Sequence, residues 1–307
     1  MEPDTTVPDG PTDGALVRRI GDRVFDFGRQ VAVMAIINRT RDSFYDHGRT
    51  FAFDTAVAAA QGALDLGADW IDIGAVPFSP RTVPVDAAEE LDRVVPLVQE
   101  VRRRSDAVIS VDTFRTEVAA AAVAAGATAI NDTSGLRDPE LADVAAESGA
   151  TLVITHSLAA PREELFRPTY DDVVDEVKDF LLSRAQLAID HGVRPEQIVI
   201  DPGHDLNKNT LHSLELTARL AELAGHGFPL LASVSNKDFI AETLGLDKQE
   251  LRAGTIATVT MCILSGARVL RVHDVRSTVE AARMVGAVLG WHAPALVQHN
   301  TEEHAGV

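Results

Sequence analysis

The sequence predicts an α/β protein folded as a single (β/α)8 barrel, and three observations carry that expectation. From Val31 onward a rhythm of short apolar run, polar loop and amphipathic helix recurs along the chain. A glycine falls just before six of the runs, at Gly67, Gly126, Gly149, Gly192, Gly227 and Gly266. Glycine there suits a left-handed helix stop before the chain turns into a strand. The runs also end in polar residues, one after another. Alternating βα units imply parallel strands, and eight units close most economically into a barrel with those polar ends at one mouth.

The eight strands are expected at residues 32–37, 70–73, 108–111, 128–130, 151–154, 197–200, 230–234 and 269–272. Between them, stretches such as 85–103 and 173–191 carry Ala, Leu, Glu and Arg at helical spacing. Upstream, residues 16–27 read as two short strands about Gly21 and Asp22, an N-terminal β-hairpin. Residues 1–14 are acidic and rich in Pro, Gly, Thr and Asp, and are expected to be a disordered leader. The barrel is assigned to 15–291 and a C-terminal tail to 292–307. An open dinucleotide-binding sheet is the rival fold, but no Gly-x-Gly-x-x-Gly follows the first strand.

Composition narrows the function. A chain of 307 residues, 46% hydrophobic and 24% charged, is ordinary for a globular protein, and its length fits one α/β barrel. The formal net charge of -18 argues against a nucleic-acid partner. It also repels anions at long range, so any anion site must be local. Cys262 is the single cysteine, which rules out a disulfide within the chain and a cysteine zinc cluster. It lies among apolar residues at helical spacing and is expected to be buried and inert. No apolar run approaches the ~18 residues of a membrane span, so no membrane partner is expected. The N-terminus lacks a basic-then-apolar pattern, and a cytoplasmic location is expected.

The strand ends carry Asn38, Asp72, Asp112, Asn131 with Asp132, His156, Asp201, Ser235, and His273 with Asp274. A lone polar residue ending a strand is commonly a turn or helix cap; Asp132 and Asp274 are read so. His156 is expected to line the barrel top, and 205–209 to be a solvated loop. Arg271 and His273 alternate along the last strand and so face one way. Such a pair, with Asn38 nearby, suits a phosphate or diphosphate. Asp112, Asn131 and Asp201 offer acceptors to a flat, nitrogen-rich heterocycle, and Lys237 can serve either half. The Asn38 side-chain oxygen suits a divalent ion bridging phosphates. The set describes a pocket for a polar heterocycle carrying a diphosphate, and the polar loop 38–48 reads as a lid over it.

In order along the chain come Asn-x-Thr-x-Asp-Ser-Phe at 38–44, Ile-Asp-Ile-Gly at 71–74, Ser-Val-Asp-Thr at 110–113, Ile-Asn-Asp at 130–132, Asp-Pro-Gly at 201–203, Ser-x-Lys-x-Phe at 235–239 and Arg-Val-His-Asp at 271–274. Together they resemble dihydropteroate synthase, the folate-pathway family that joins a pterin to p-aminobenzoate, over roughly residues 16–290. The resemblance implies a barrel fold and a Mg²⁺-dependent displacement of pyrophosphate from 6-hydroxymethyl-7,8-dihydropterin diphosphate. It implies Asp112, Asn131, Asp201 and Lys237 as pterin-pocket positions, Arg271 and His273 as the diphosphate pair, and Asn38 as the metal ligand. Ser235 and Val272, inside matching motifs, join the substrate-binding set. Asn38, Asp112, Lys237, Arg271 and His273 are the implied catalytic residues. A homodimer through late helices, such as residues 255–264, is implied as well.

Two stretches depart from the family pattern. At 74–85 the chain reads Gly-Ala-Val-Pro-Phe-Ser-Pro-Arg-Thr-Val-Pro-Val, with Phe78 and Ser79 where the family has Thr and Arg. Arg81 stands two residues on. Asn236 stands where the family has Arg, and a neutral amide cannot replace a guanidinium. Arg41, His204, Asp205 and Asn207 also differ. The pterin and diphosphate halves are kept while the acceptor half is altered. This pattern resembles a divergent subgroup of actinobacterial paralogues, some suspected to lack the standard activity. Three functions follow: a synthase, a paralogue that binds a pterin-like ligand without turnover, or a transferase using another amine.

Overall fold

The structure, a computed structural model, describes residues 16–40, 51–77, 82–163 and 165–299. The leader 1–14, the end of the tail, most of the loop 38–48 and residues Phe78, Ser79 and Arg81 lie outside the described residues.

Short apolar runs between glycine-ended helices do form a closed parallel barrel. Its strands are β3 (Ala32–Asn38), β4 (Trp70–Gly74), β5 (Val108–Asp112), β6 (Ala129–Asp132), β7 (Thr151–Thr155), β8 (Ile198–Asp201), β9 (Leu230–Ala232) and β10 (Ala267–Val272). The ring runs in chain order and closes where β10 pairs with β3. The expected strands agree to within a few residues; β9 is shorter, and β10 begins at Ala267 rather than at 269. Around the ring lie α1 (Phe53–Asp65), α2 (Ala87–Arg104), α3 (Thr116–Ala124), α4 (Glu140–Ser148), α5 (Val173–Asp190), α6 (Thr210–Ala218), α7 (Asp238–Leu244), α8 (Arg252–Leu264) and α9 (Val275–Val288). Helix α2 shows why these segments form where they do. Asp86 accepts the amide N–H of Glu89 at its start, 2.8 Å away. Three arginines occupy its last turn, where the helix dipole favours cations. Val94, Leu97, Val98 and Val101 face the barrel. Cys262 is fully buried in α8, as expected, and burial pushes its thiol up to about 12.

Side chains alternate across each strand, and the alternation builds two cores. Outward positions such as Ile71, Ile73, Ile109, Val111, Leu152 and Ile154 meet the helices. Inward positions near the strand starts fill the barrel: Met34, Trp70, Val108, Ala129, Val153, Val199, Leu231 and Val269. The hairpin β1 (Val17–Ile20) and β2 (Arg23–Asp26) closes this end, adding Ile20, Phe25 and Phe27 to the same cluster. Its turn needs Gly21, at φ +58, where a Cβ would also meet Thr128 at 2.8 Å. Arg268 donates to the Phe27 carbonyl (2.8 Å), and Arg23 donates to the Asp69 carbonyl (3.0 Å), so the plug is tied to the barrel.

Candidate functional site

Two residues along five of the strands from this apolar floor, the inward position turns polar. Trp70 gives way to Asp72, Val108 to Ser110 and then Asp112, Ala129 to Asn131, Val199 to Asp201, and Val269 to Arg271. Register sets Asn38, Gly74, Asp112 and Asn131 side by side on four adjacent strands. The polar ends therefore do converge on the carboxyl-terminal mouth, where catalysis in such barrels resides.

Asp72 is the hub. It is fully buried and accepts Arg271 Nε at 2.7 Å, Ser110 Oγ at 2.5 Å and Asn131 Nδ2 at 3.2 Å. Arg271 Nη2 reaches Asp112 at 2.8 Å. Arg271, Asp112 and Asn131 thus belong to one network, whose centre the sequence reading left out of the site. A signal for it existed: a carboxylate in the middle of Trp-Ile-Asp-Ile-Gly must be paired if the strand is buried on both sides. Burial opposes the Arg271 charge, yet Asp72 and Asp112 outweigh it and its pKa is raised. Burial pushes Asp112 up to about 7, against the pull of Arg271 and with Asp72 and Glu90 adding to the rise. Behind it, Glu90 of α2 accepts Thr113 Oγ1 at 2.6 Å and pairs with Arg115.

The facing wall holds Ser235, Lys237 and His273. Ser235 Oγ lies 3.2 Å from His273 Nδ1 and accepts the His273 amide. Burial lowers the Lys237 pKa against the attraction of Asp205 and Asp201. Burial raises Asp201, against the Gly203 amide that it accepts at 2.8 Å and the charge of Lys237. Val272 alternates with Arg271 and His273, so its side chain packs in the outer core; the expectation of Val272 as a substrate contact is corrected to main chain at most. Asn236 takes φ +55, a conformation Asn tolerates.

The segment after β8 is not the solvated loop expected. Lys208 is buried and donates to His156 Nδ1 (2.8 Å), the Gly203 carbonyl (3.0 Å) and the Leu206 carbonyl (3.1 Å). Burial brings its pKa down to about 7. Asn207 Oδ1 accepts from Ser157 Oγ and from the amides of Leu158 and Ala159. Asp205 accepts Ser213 Oγ (3.0 Å) and the Phe239 amide (3.3 Å). The polar run reads as solvated in sequence because its partners are distant in the chain. His156, buried beneath Lys208 and edge-on to Phe180, lines the top of the barrel as expected. Asp132 and Asp274 prove to be caps, accepting Ser134 N and Ser277 N.

The two described ends of the segment after β4 are held from across the mouth. Arg162, in the loop after β7, donates to the carbonyls of Pro77 (2.9 Å) and Thr82 (2.7 Å) and to Thr82 Oγ1 (3.1 Å). At the other edge, a Cβ on Gly74 would stand 2.7 Å from Asn38 Oδ1, so glycine makes room for that oxygen. Among the described residues no group of three or more His, Cys, Asp or Glu could hold a metal. The Asn38 side-chain oxygen would fit a Mg²⁺ that kept water and phosphate oxygens among its other ligands.

The pterin binding enzyme family matches residues 34–273. The chain belongs to this family. It is 44% identical over 273 residues to a Mycobacterium tuberculosis protein named inactive dihydropteroate synthase 2, covering 87% of this chain and 86% of that one. It is 37% identical over 257 residues to the dihydropteroate synthase of Escherichia coli, covering 84% and 91%. A solved structure of Xanthomonas albilineans dihydropteroate synthase in complex with 7,8-dihydropteroate aligns with a TM-score of 0.78 at 37% identity, covering 89% of this chain and 98% of that one. The resemblance read from the motifs, including that to a divergent actinobacterial subgroup of paralogues, is borne out. Among the described residues no helix is long and apolar enough to cross a membrane.

Proposed function

We infer that this chain is a dihydropteroate synthase-like transferase. It takes 6-hydroxymethyl-7,8-dihydropterin diphosphate into the carboxyl mouth and joins the pterin to p-aminobenzoate or another amine, releasing pyrophosphate. The observation that carries this reading is the Asp72–Arg271–Asp112–Asn131 network facing Asp201 and Lys237. Asp112, Asn131 and Asp201 accept the N–H edge of the pterin ring. Arg271 and His273 hold the diphosphate, and Asn38 supplies the protein's oxygen to Mg²⁺. When bound, that ion supplies neutralisation of the leaving diphosphate. The bond from the pterin methylene to oxygen breaks, and its electron pair leaves with pyrophosphate. The carboxylates on the opposite side stabilise the positive charge left on the methylene. The amine lone pair then forms the C–N bond, and its proton passes to water. Exposed Met261, Leu264, Met284 and Val288 on α8 and α9 support a homodimer through these late helices. A cytoplasmic location belongs to the same reading.

A second reading is binding without turnover. Asn236 in place of a guanidinium favours it, as do Phe78 and Ser79 and the 44% identity to a relative named inactive. One experiment separates the two: pyrophosphate release from purified protein with pterin diphosphate, Mg²⁺ and p-aminobenzoate, repeated with a panel of amines. Release dependent on an amine establishes the transferase. Calorimetric binding of the pterin diphosphate with no release for any amine establishes the second reading.

A further inference from the structure

Two arginines beside Asn38 make no hydrogen bond to Asp72, Asp112, Asn131 or Arg271 among the described residues, and the chemistry above does not use them. Arg39 follows Asn38 directly, and its amide donates to the Gly74 carbonyl at 2.7 Å, extending the β3–β4 ladder. Its guanidinium donates through Nη1 to the Arg93 carbonyl (2.6 Å) and through Nε and Nη2 to the Phe51 carbonyl (3.2 and 3.1 Å). Arg93, on α2, returns the contact: Nη1 donates to the carbonyls of Ala75 (3.0 Å) and Arg39 (3.4 Å), and Nη2 pairs with Glu89. Each guanidinium also lies over a ring, Arg39 over Phe53 at 5.6 Å and Arg93 over Phe51 at 5.2 Å.

Two like charges side by side, one of them on a buried residue, are unfavourable. What offsets them here is Glu89 and a set of main-chain carbonyls. Those carbonyls belong to the two ends of the loop after β3, at Arg39 and Phe51, to the root of the loop after β4, at Ala75, and to α2 itself. The pair therefore fixes backbone on both sides of the notch where Asn38 Oδ1 sits over Gly74. Among the described residues, the hydrogen bonds of the two guanidiniums go to that backbone and to Glu89. A planar, forked donor is needed, because one ammonium cannot serve carbonyls on two loops in a fixed plane.

We propose that Arg93, acting through Arg39, is a positioning residue that holds the Asn38 side-chain oxygen at the diphosphate end of the mouth. Recognition of a Mg²⁺-bound diphosphate is then set by a guanidinium clamp outside the pocket. This rests on the function inferred above. The test is calorimetry on the full chain with Mg²⁺ and inorganic pyrophosphate as one probe and 6-hydroxymethylpterin as the other. In Arg93→Ala, magnesium pyrophosphate affinity falls about tenfold or more while pterin affinity stays within about twofold, the scale expected when a group supporting a metal ligand is lost. Arg93→Lys does not restore it. Gly74→Ala, which keeps both arginines but crowds Asn38 Oδ1, reproduces the selective loss. Arg93→Ala binding magnesium pyrophosphate like the unaltered chain overturns the clamp alone. So does an equal loss of both probes, which marks general damage. Failure of the unaltered chain to bind either probe overturns the function itself, and the clamp with it.

Discussion

The two ends of the barrel are built from the same eight strands and could hardly differ more. At the amino end, inward side chains are apolar and capped by Ile20, Phe25 and Phe27. At the carboxyl end, the same inward positions carry Asp72, Ser110, Asp112, Asn131, Asp201 and Arg271. A shift of two residues along a strand keeps the face and changes the chemistry. One end holds the barrel together by excluding water. The other is less deeply buried, with Arg271 and Asp112 partly open to solvent, and stabilises little, because each charge needs a partner. The amino end can be read as stability and the carboxyl end as function, and the comparison can be broken from either side.

Asp72→Ala should have the largest effect. It strips Arg271, Ser110 and Asn131 of their shared acceptor, and removing one partner of a buried pair costs about 3–5 kcal/mol. Urea unfolding should show that loss together with loss of pterin binding. Phe25→Ala should cost a similar amount, about 3–5 kcal/mol for a large core aromatic, but leave pterin affinity unchanged in the folded fraction. Equal damage to binding from Phe25→Ala would sink the division of labour between the ends.

Next comes the pH response of two buried groups at the carboxyl end. Asp112 is raised from 3.8 to about 7. Between those values the folded chain holds the proton more tightly than the unfolded one, so this group makes stability fall as pH rises from about 4 to 7. Lys208 is lowered from 10.5 to about 7. Over that range the unfolded chain binds more protons, and stability from this group rises with pH. Asp112→Asn should flatten the acid slope of the urea midpoint. Lys208→Met should flatten the alkaline one and cost roughly 1–3 kcal/mol for the acceptors it abandons. Unchanged slopes would show that these groups do not titrate as their surroundings dictate.

Arg162→Ala should be the mildest. Its bonds to Pro77 and Thr82 are partly exposed, so stability should change by about 1 kcal/mol or less. Hydrogen exchange at Val76, Thr82 and Val83 should quicken while the barrel strands stay protected. If exchange there is unaltered, the latch across the mouth is not what fixes those residues.

How much was legible beforehand follows from the range of each signal. The glycines before six of the strands, the alternation of Arg271 and His273 and the capping roles of Asp132 and Asp274 are local, and they survived. Asp72 was missed because its partners come from β5, β6 and β10, far away in the chain. The run 205–209 looked solvated because five consecutive residues give no hint that Ser157, Ser213 and Phe239 will fold onto them. Val272 was misplaced by taking a motif as a block, when alternate residues must face opposite ways.

The sequence by itself determined the barrel, its order and the side on which its polar groups gather, since period and punctuation are written residue by residue. Only the tertiary structure decided which of those groups pair. Ring closure brings β10 beside β3 and so puts Arg271 against carboxylates 199 and 159 residues earlier in the chain. A buried charge takes whichever partner the packing delivers, and packing is settled only when the barrel closes.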